Sequence, residues 1–301
     1  MANNYINKLG LGTVQFGLDY GISNLSGKTS VDNVKSILSC AAENNINTID
    51  TAHSYGTSEE VIGFSKNIDQ SFDIITKTIP IKKKVINSCD LKVVKNGINQ
   101  SLERLNEKSA YGILLHDADD LKAKNSQNLF NILKGFKSDG KFLKIGVSVY
   151  DAEQIDFVLN NFSIDIIQVP MNVFDQRLIK CGALKRLKNF GIEVHVRSAF
   201  LQGLVFMNDE DLPRNFQKYS KYLTNFRTKI NELKVSRLSA CLSFLMQQEE
   251  VDKVLCGVNS LIQFKELIKT VSALPYIEMH NFDDFALDDK IFLNPANWKN
   301  I

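Results

Sequence analysis

Four polar residues stand at or just past the ends of short apolar runs, and their types could together move a proton. Asp50 and Tyr55 lie in NTIDTAHSYG, Lys77 ends DIITK, and His116 ends GILLH. A phenol is a poor acid at neutral pH, with a reference pKa of about 10, and a nearby cation favours its phenolate and lowers that value. Such a set could deliver a proton to a carbonyl oxygen while hydride reaches the carbon.

Each of the four residues has a role in this hypothesis. Tyr55 is the general acid in reduction and the base in oxidation. Lys77 supplies the cation that tunes Tyr55, and Asp50 pairs with Lys77, which burial alone would tend to deprotonate. His116 donates a hydrogen bond that orients the carbonyl. Taken singly, each residue could equally be a loop, rim or packing residue, so the hypothesis depends on the ordered set.

The elements that must position these residues alternate along the chain. Amphipathic patterns predict helices between the strands, with a capping box formed by Thr57 and Glu60 and an N-cap at Asp151. Alternation of this kind implies parallel strands joined by right-handed crossovers. The predicted strands cover 8–13, 47–50, 72–77, 111–116, 142–148, 164–170, 192–197 and 252–257, and the later helices 177–190, 235–249 and 260–272.

Eight strands with helices between them predict an α/β fold, a (β/α)8 TIM barrel of one domain over residues 1–301. In such barrels the active site lies at the carboxyl ends of the strands, where all four polar residues would meet. Residues 203–234 are predicted to form a long loop excursion or extra helix near the mouth. Residues 273–301 are predicted to be a C-terminal tail that packs back on the barrel.

Composition excludes several classes of protein. A formal net charge of +2 over 301 residues gives no electrostatic argument for nucleic acid or an anionic membrane. The N-terminus lacks the apolar core of a signal peptide, and no window approaches the ~18 apolar residues of a membrane span. Five cysteines without a CxxC pair argue against a disulfide framework or a metal site. We therefore expect a cytoplasmic protein without metal, and the oligomeric state stays open.

Several sequence blocks occur in an order that resembles one enzyme family. LGLGTVQFG resembles its opening strand and NTIDTAHSYGTSEEVIG its most specific signature, and ITK, LLH, IGVS, IQVP and CGVNS follow in order. The sequence is similar to the aldo-keto reductase family over nearly the whole chain. The resemblance implies a (β/α)8 barrel, the tetrad Asp50, Tyr55, Lys77 and His116, and a nicotinamide cofactor.

This resemblance implies an NAD(P)(H)-dependent oxidoreductase that interconverts a carbonyl (aldehyde, ketone or sugar) and an alcohol. The alternative is a nicotinamide-nucleotide-binding regulatory subunit with little turnover. No GxGxxG motif follows a strand and opens a helix, so we expect the cofactor at the barrel mouth and not in a Rossmann crevice. The candidates for cofactor binding are Gly12, Thr13, Ser148, Gln168, Arg197, Ser198, Gly257, Asn259, Ser260 and Gln263, with Ser148 and Gln168 on the nicotinamide carboxamide.

Three positions depart from the commonest pattern of the family. Val149 replaces an Asn, Arg197 replaces a Tyr that often stacks on the nicotinamide ring, and Asn259 replaces an Arg or Lys for the adenosine 2′-phosphate. A guanidinium can stack on the ring, bind an anionic group of the substrate or cofactor, or form an ion pair at the rim. Because phosphate favours a cationic partner, Asn259 makes NAD(H) more credible than usual, and NADP(H) remains the predicted cofactor.

The substrate pocket is predicted to be built from loops that follow the strands. Packing in the core or at the rim is the alternative for each aromatic candidate, and His53 could be a simple loop residue. Polar groups around Arg197 and His53 suggest a sugar or a carboxylated carbonyl compound as substrate. The pocket candidates are Phe16, His53, Phe174 and Phe200.

Overall fold

Eight parallel strands hydrogen-bond in chain order and close into a barrel in the computed structural model, which describes residues 5–67 and 69–300. β1 pairs with both β2 and β8, so the sheet has no free edge. The predicted (β/α)8 TIM barrel is confirmed. The strands are β1 Leu9–Gly12, β2 Thr48–Asp50, β3 Asp73–Lys77, β4 Ala110–Leu115, β5 Phe142–Ser148, β6 Ile166–Pro170, β7 Glu193–Arg197 and β8 Lys253–Gly257.

Helices surround the barrel, most of them as crossovers between successive strands. None of the helices in the described part of the chain is both long enough and apolar enough to span a bilayer. The α-helices are α1 Val14–Gly17, α2 Val31–Glu43, α3 Ser58–Ser65, α4 Ser88–Arg104, α5 Ser126–Ser138, α6 Ala152–Asn161, α7 Arg177–Lys180, α8 Ala183–Asn189, α9 Ser220–Glu232, α10 Arg237–Met246, α11 Leu261–Ser272 and α12 Lys290–Leu293. Short 3-10 helices cover Tyr5–Lys8, Ala118–Lys122, Leu201–Phe206, Asp209–Asp211, Arg214–Tyr219, Met279–Phe285 and Pro295–Asn300.

Two local predictions are wrong and one is confirmed. The single helix predicted for 177–190 is divided into α7 and α8 by Gly182, whose φ of +70° is left-handed. Thr57 makes no capping hydrogen bond with its side chain, because its backbone (φ −90°, ψ 10°) lies outside the extended conformation that such a cap uses. The Asp151 carboxylate does cap α6, accepting from the Gln154 amide at 2.9 Å.

The two segments that interrupt or follow the strand–helix alternation meet on one side of the barrel. Residues 203–234 contain short 3-10 turns and α9, as the prediction of an extra helix allowed. Phe226 of α9 contacts Phe285 of the C-terminal segment, with ring centroids 5.3 Å apart. Phe174, which follows β6, contacts both Phe226 and Phe292, at 5.6 and 5.8 Å. The tail therefore packs back on the barrel, as predicted, within the described residues.

The barrel interior is filled toward the amino ends of the strands, which leaves room only at the other end. Ile75, Leu114 and Ile166 form a buried cluster in it. Below them Glu193 accepts a hydrogen bond from the Tyr111 hydroxyl at 2.7 Å and pairs with Lys144. Burying each apolar side chain stabilises the fold by about 1.5–3 kcal/mol. The filled lower half makes the carboxyl ends of the strands the place where a ligand can enter.

Two glycines bring the loop that carries Tyr55 against the first strand–helix turn. A Cβ on Gly17 would lie 1.8 Å from the Tyr55 carbonyl oxygen, and a Cβ on Gly56 would lie 2.4 Å from the Gly17 carbonyl oxygen. Gly56 also has a φ of +57°, in the left-handed region that favours glycine. These glycines let the two backbones touch, which fixes where the Tyr55 loop begins.

We expect Gly17→Ala to destabilise the protein by about 1–3 kcal/mol or more, because the added methyl group overlaps backbone atoms that cannot retreat. Gly135→Ala is the matched control, since a Cβ at this position in α5 would meet nothing within 4 Å. Alanine at such a helical position stabilises by roughly 0.5–1 kcal/mol. Urea unfolding of both variants checks the pair, and a Gly17→Ala protein as stable as wild type would contradict the close approach.

Candidate active site

The four residues that could move a proton lie together because they are placed at or just after the carboxyl ends of three neighbouring strands. Asp50 and Lys77 are the last residues of β2 and β3, His116 directly follows β4, and Tyr55 lies in the loop between β2 and α3. A cavity of about 710 Å³ opens there and is lined by Asp50, Tyr55 and His116. Lys77 is only 1% exposed and lies behind these three side chains.

The Lys77 ammonium is surrounded by acceptors. Its Nζ lies 2.7 Å from both carboxylate oxygens of Asp50 and donates to the Thr51 carbonyl oxygen at 2.9 Å. A longer contact of 3.4 Å joins it to the Tyr55 hydroxyl. Burial lowers the pKa of Lys77, and the charge of Asp50 opposes that shift. The pairing of Asp50 with Lys77 proposed from the sequence is thus present in the structure.

The pKa of Tyr55 moves in the direction opposite to the one the sequence suggested. Burial raises it first, the Asp50 carboxylate raises it further, and Arg197 opposes them. The expected lowering by Lys77 does not dominate, because Asp50 balances the ammonium and also acts on the phenol. Tyr55 is therefore a neutral hydroxyl at physiological pH and can donate a hydrogen bond or a proton.

His116 stands edge-on to Tyr55, with ring centroids 5.8 Å apart and an interplanar angle of 81°. Burial, followed by the positive charges of Lys77 and Arg197, lowers the pKa of His116 to about 3. The imidazole is therefore neutral at physiological pH. A neutral ring can donate one N–H to a carbonyl oxygen without itself giving up a full proton.

Gln168 and Ser148 form a polar pair beside the tetrad. They are direct partners in the register of β5 and β6, and both line the cavity. The Gln168 amide nitrogen donates to Asp50 Oδ1 at 2.7 Å, which fixes the orientation of the amide. Its Oε1 is buried and has no hydrogen-bond partner among the described residues. The free Gln168 Oε1 beside the Ser148 hydroxyl suits a ligand with a carboxamide group, such as nicotinamide.

The first strand contributes backbone more than side chains. Gly12 and Gly257 are register partners at the ends of β1 and β8, and both line the cavity. Thr13 also lines it, but its hydroxyl donates to the Asp50 carbonyl oxygen at 2.9 Å and is buried. The side chain of Thr13 therefore holds β1 to β2, and only the remainder of this residue is open to a ligand.

At the start of α11 the polar side chains hydrogen-bond to nearby backbone groups. Gln263 Oε1 accepts from the backbone N–H of Asn259 at 2.7 Å. The side-chain amide of Asn259 donates to the Gly27 carbonyl oxygen at 3.3 Å. Ser260 caps the helix, accepting from the Gln263 amide. Asn259 and Gln263 line the cavity, whereas Ser260 does not. Ser260 therefore caps the helix, and its cofactor contact stays a prediction.

The structure places one of the four predicted pocket residues at the cavity. Phe200 lines it and packs against Phe206, with ring centroids 5.2 Å apart. Phe16 and Phe174 are 0% and 1% exposed and belong to the core, because apolar surface was available to cover both rings. His53 faces α4, where its Nδ1 contacts Arg104 and Ser101. Phe16, Phe174 and His53 therefore do not line the cavity.

Arg197 is the last residue of β7 and borders the cavity near the tetrad. Its guanidinium carbon lies 4.5 Å from the centre of the Tyr150 ring. Nη2 donates to the Val149 carbonyl oxygen at 3.1 Å and Nη1 to the Ser198 hydroxyl at 3.3 Å. No carboxylate in residues 5–67 or 69–300 pairs with it, so the ion pair at the rim that the sequence left open does not form there.

Tyr150, Tyr20 and Arg237 are among the residues of the cavity wall that the sequence did not identify. Tyr150 stands two residues past the end of β5, where the same strand-end rule could have found it. Tyr20 follows α1, and Arg237 opens α10; neither position carries a sequence signal, because both belong to helix-flanking segments. Arg237 is fastened to the backbone oxygens of Phe206 and Met207, at 2.5 and 3.2 Å.

Comparison with known proteins agrees with this geometry. Residues 8–284 match the model of the Aldo/keto reductase family. The chain belongs to the aldo/keto reductase family. Members of this family are oxidoreductases that use nicotinamide cofactors. No curated protein matches the chain.

Two solved structures show the same barrel. This aldo/keto reductase family member is 20% identical to the aldo-keto reductase AKR11C1 from Bacillus halodurans in its holo form, with a TM-score of 0.73 over 96% of this chain and 94% of that one. It is 22% identical to the glycerol dehydrogenase AKR11B4 from Gluconobacter oxydans, with a TM-score of 0.69 over 94% and 91%. Identities this low establish the fold alone.

The neutral state of His116 predicts how the stability of this family member depends on pH. Its folded pKa of about 3 lies below the ordinary histidine value of 6.5, so the unfolded chain binds more protons between these values. Stability should therefore rise with pH across this window, with a contribution from His116 of at most about 1.4 kcal/mol per pH unit.

The slope is measured by urea unfolding at several pH values from 4.5 to 7.5. His116→Asn should give a shallower slope than wild type, whatever its effect on stability at neutral pH. His280→Asn removes an exposed histidine, and we expect it to keep the wild-type slope. An unchanged slope in His116→Asn would show that the ring is not held neutral by the fold.

Proposed function

We propose that this chain is an NAD(P)(H)-dependent oxidoreductase that interconverts a carbonyl and an alcohol, with Tyr55 as general acid and base. The observation that supports it best is one connected group of side chains. Lys77 contacts Asp50 and Tyr55, and Asp50 contacts Gln168, whose free Oε1 suits the carboxamide of a nicotinamide. Proton donor and cofactor anchor thus share one carboxylate.

In this proposal, different residues at the barrel mouth bind the substrate and the cofactor. The substrate oxygen would be held by the Tyr55 hydroxyl and an N–H of His116, both of which line the cavity. The nicotinamide cofactor, when bound, supplies hydride to the carbonyl carbon. Gln168 and Ser148 would hold its carboxamide, so the ring that gives hydride and the phenol that gives the proton face the same carbon–oxygen bond.

Lys77 acts on the product of proton transfer more than on the resting phenol. Tyr55 begins as a neutral hydroxyl, since burial and Asp50 raise its pKa. After donation the phenolate would lie 3.4 Å from the Lys77 ammonium, and a cation at that distance stabilises an anion. In the oxidative direction this phenolate accepts the alcohol proton.

Replacing the proton donor is the direct test. Tyr55→Phe should lower kcat by roughly a hundredfold or more, the scale expected for loss of a general acid, while NADPH binds as it does to wild type. Tyr276→Phe, which removes an exposed phenol, is the matched control and should turn over normally. The assay uses a panel of aldehydes, ketones and sugars, with NADPH binding followed by fluorescence titration.

A Tyr55→Phe protein with the wild-type rate would overturn the role of Tyr55. If wild type binds cofactor tightly yet reduces no member of the panel, the chain is the nucleotide-binding regulatory subunit considered from the sequence.

The proposed cofactor is NADP(H), and Arg237 supports this choice. The described cavity wall contains two arginines, Arg197 beside the tetrad and Arg237 at the start of α10, and no lysine. α10 packs against α11, which Asn259 precedes. Arg237 therefore offers, from a neighbouring helix, the cation that Asn259 does not provide for an adenosine 2′-phosphate.

Arg237→Gln should weaken NADPH binding about tenfold or more, since a hydrogen bond to a charged group contributes about 1.5–3 kcal/mol. NADH, which lacks the 2′-phosphate, should lose less. Fluorescence titration gives the ratio of the Kd for NADH to the Kd for NADPH in wild type, Arg237→Gln and the surface variant Arg186→Gln. Tighter binding of NADH than of NADPH by wild type, or an unchanged ratio in Arg237→Gln, would refute the assignment.

A further inference from the structure

The reactive end of the cavity carries one positive charge without a matching negative charge. Asp50 and Lys77 cancel, because the ammonium lies 2.7 Å from both carboxylate oxygens. His116 and Tyr55 are neutral at physiological pH. Arg197 remains, and its guanidinium is always protonated. Within the described residues no carboxylate balances it, so its counter-ion must come from elsewhere.

The hydrogen-bonding capacity of Arg197 is only partly used. A guanidinium has five N–H groups, and the contacts to the Val149 carbonyl oxygen and the Ser198 hydroxyl engage one on each terminal nitrogen. The Tyr150 ring covers one flat face at 4.5 Å and holds the group in place. The fork is therefore positioned in the cavity wall with N–H groups left for a ligand.

Two phenols complete a polar surface beside it. Tyr20 and Tyr150 line the same cavity as Arg197 and Tyr55. Burial, together with the neighbouring Tyr55, raises the pKa of Tyr20 to about 12, so its hydroxyl stays a donor at any physiological pH. A guanidinium with hydroxyl groups beside it suits an anion, because both can donate hydrogen bonds to it.

We propose that Arg197, with Tyr20 and Tyr150, binds an anionic group of the substrate, so that the chain acts on carbonyl compounds bearing a carboxylate or phosphate and on the corresponding hydroxy acids or phosphates. The inference rests on the proposed function and adds the substrate class to it. Carboxylate and phosphate share the chemistry that a guanidinium fork recognises, two oxygens in one plane.

Charge balance favours this role over simple stacking of Arg197 on the nicotinamide. The oxidised nicotinamide ring is itself positive, and two neighbouring cations repel more strongly in a partly buried site than in water. A substrate anion beside Arg197 would remove that repulsion when the ring becomes positive. The same anion would place the carbonyl at Tyr55, because Arg197 and Tyr55 border one cavity.

Matched pairs of substrates test the proposal. 4-Oxobutanoate is compared with its methyl ester, and glyceraldehyde 3-phosphate with glyceraldehyde, as substrates for wild type, Arg197→Gln and Arg197→Lys. In at least one pair we expect wild type to show about tenfold or higher kcat/KM for the anion. In Arg197→Gln this ratio should fall to near one, and Arg197→Lys should keep part of it. The pair that shows the preference tells whether carboxylate or phosphate is bound.

The remote variant Arg186→Gln, which removes the same charge from a surface ion pair with Asp156, should keep the wild-type ratio. Equal kcat/KM for anion and neutral partner in both pairs, or a preference that survives Arg197→Gln, would overturn the proposal while leaving a carbonyl reductase.

If no substrate is turned over, a binding measurement tells failure of the proposed reaction from failure of the anion subsite. Calorimetry compares 4-hydroxybutanoate with butan-1-ol, and glycerol 3-phosphate with glycerol, on wild type and Arg197→Gln in the presence of NADP⁺. Tighter binding of an anion that Arg197→Gln loses supports the subsite even if the proposed reaction is absent. Anions that bind no more tightly than their neutral partners refute it.

Discussion

The buried ion pair between Lys77 and Asp50 is the contact on which the rest of the site depends. Lys77 is 1% exposed and Asp50 5%, so both charges are largely withdrawn from water. Removing one partner of such a pair typically costs about 3–5 kcal/mol, because the other charge is left buried and alone. The ion pair therefore favours the observed register, in which Asp50 of β2 lies opposite Ile75 of β3 and Lys77 extends two residues beyond it.

The pair also influences the charge of Lys77, the protonation of Tyr55 and the orientation of Gln168. Asp50 neutralises the ammonium, raises the pKa of Tyr55 and receives the Gln168 amide at 2.7 Å. Burial and this carboxylate together keep the phenol protonated, and the same carboxylate fixes the Gln168 amide, whose Oε1 has no partner among the described residues. Tyr55 and Gln168 are thus coupled through a single residue, so a change at Asp50 would disturb both.

The sequence predicted the barrel and the meeting of Asp50, Tyr55, Lys77 and His116 at its mouth, because both follow from periodicity and strand ends. Apolar runs define the strands, and the residue that ends a parallel strand must lie at the mouth. The same reasoning was wrong for Phe16, Phe174 and His53, since the direction of a loop side chain depends on which surfaces lie near it. Phe174 packs against Phe226 and Phe292, which lie far away in the sequence, and no local pattern could indicate these contacts.

The backbone after β7 argues that the surroundings of Arg197 serve function at the expense of stability. Ser198, Leu201 and Gln202 have φ values of +61°, +46° and +55°, which side-chain-bearing residues rarely adopt. Each such conformation costs on the order of 1–3 kcal/mol and persists only where its surroundings hold it. The Asn172 side chain donates to the Ser198 carbonyl oxygen at 3.2 Å, and Arg197 donates to its hydroxyl. Glycine would adopt these conformations without strain. The residues kept here include Ser198 and Gln202, which line the cavity, whereas Leu201 is buried in the core.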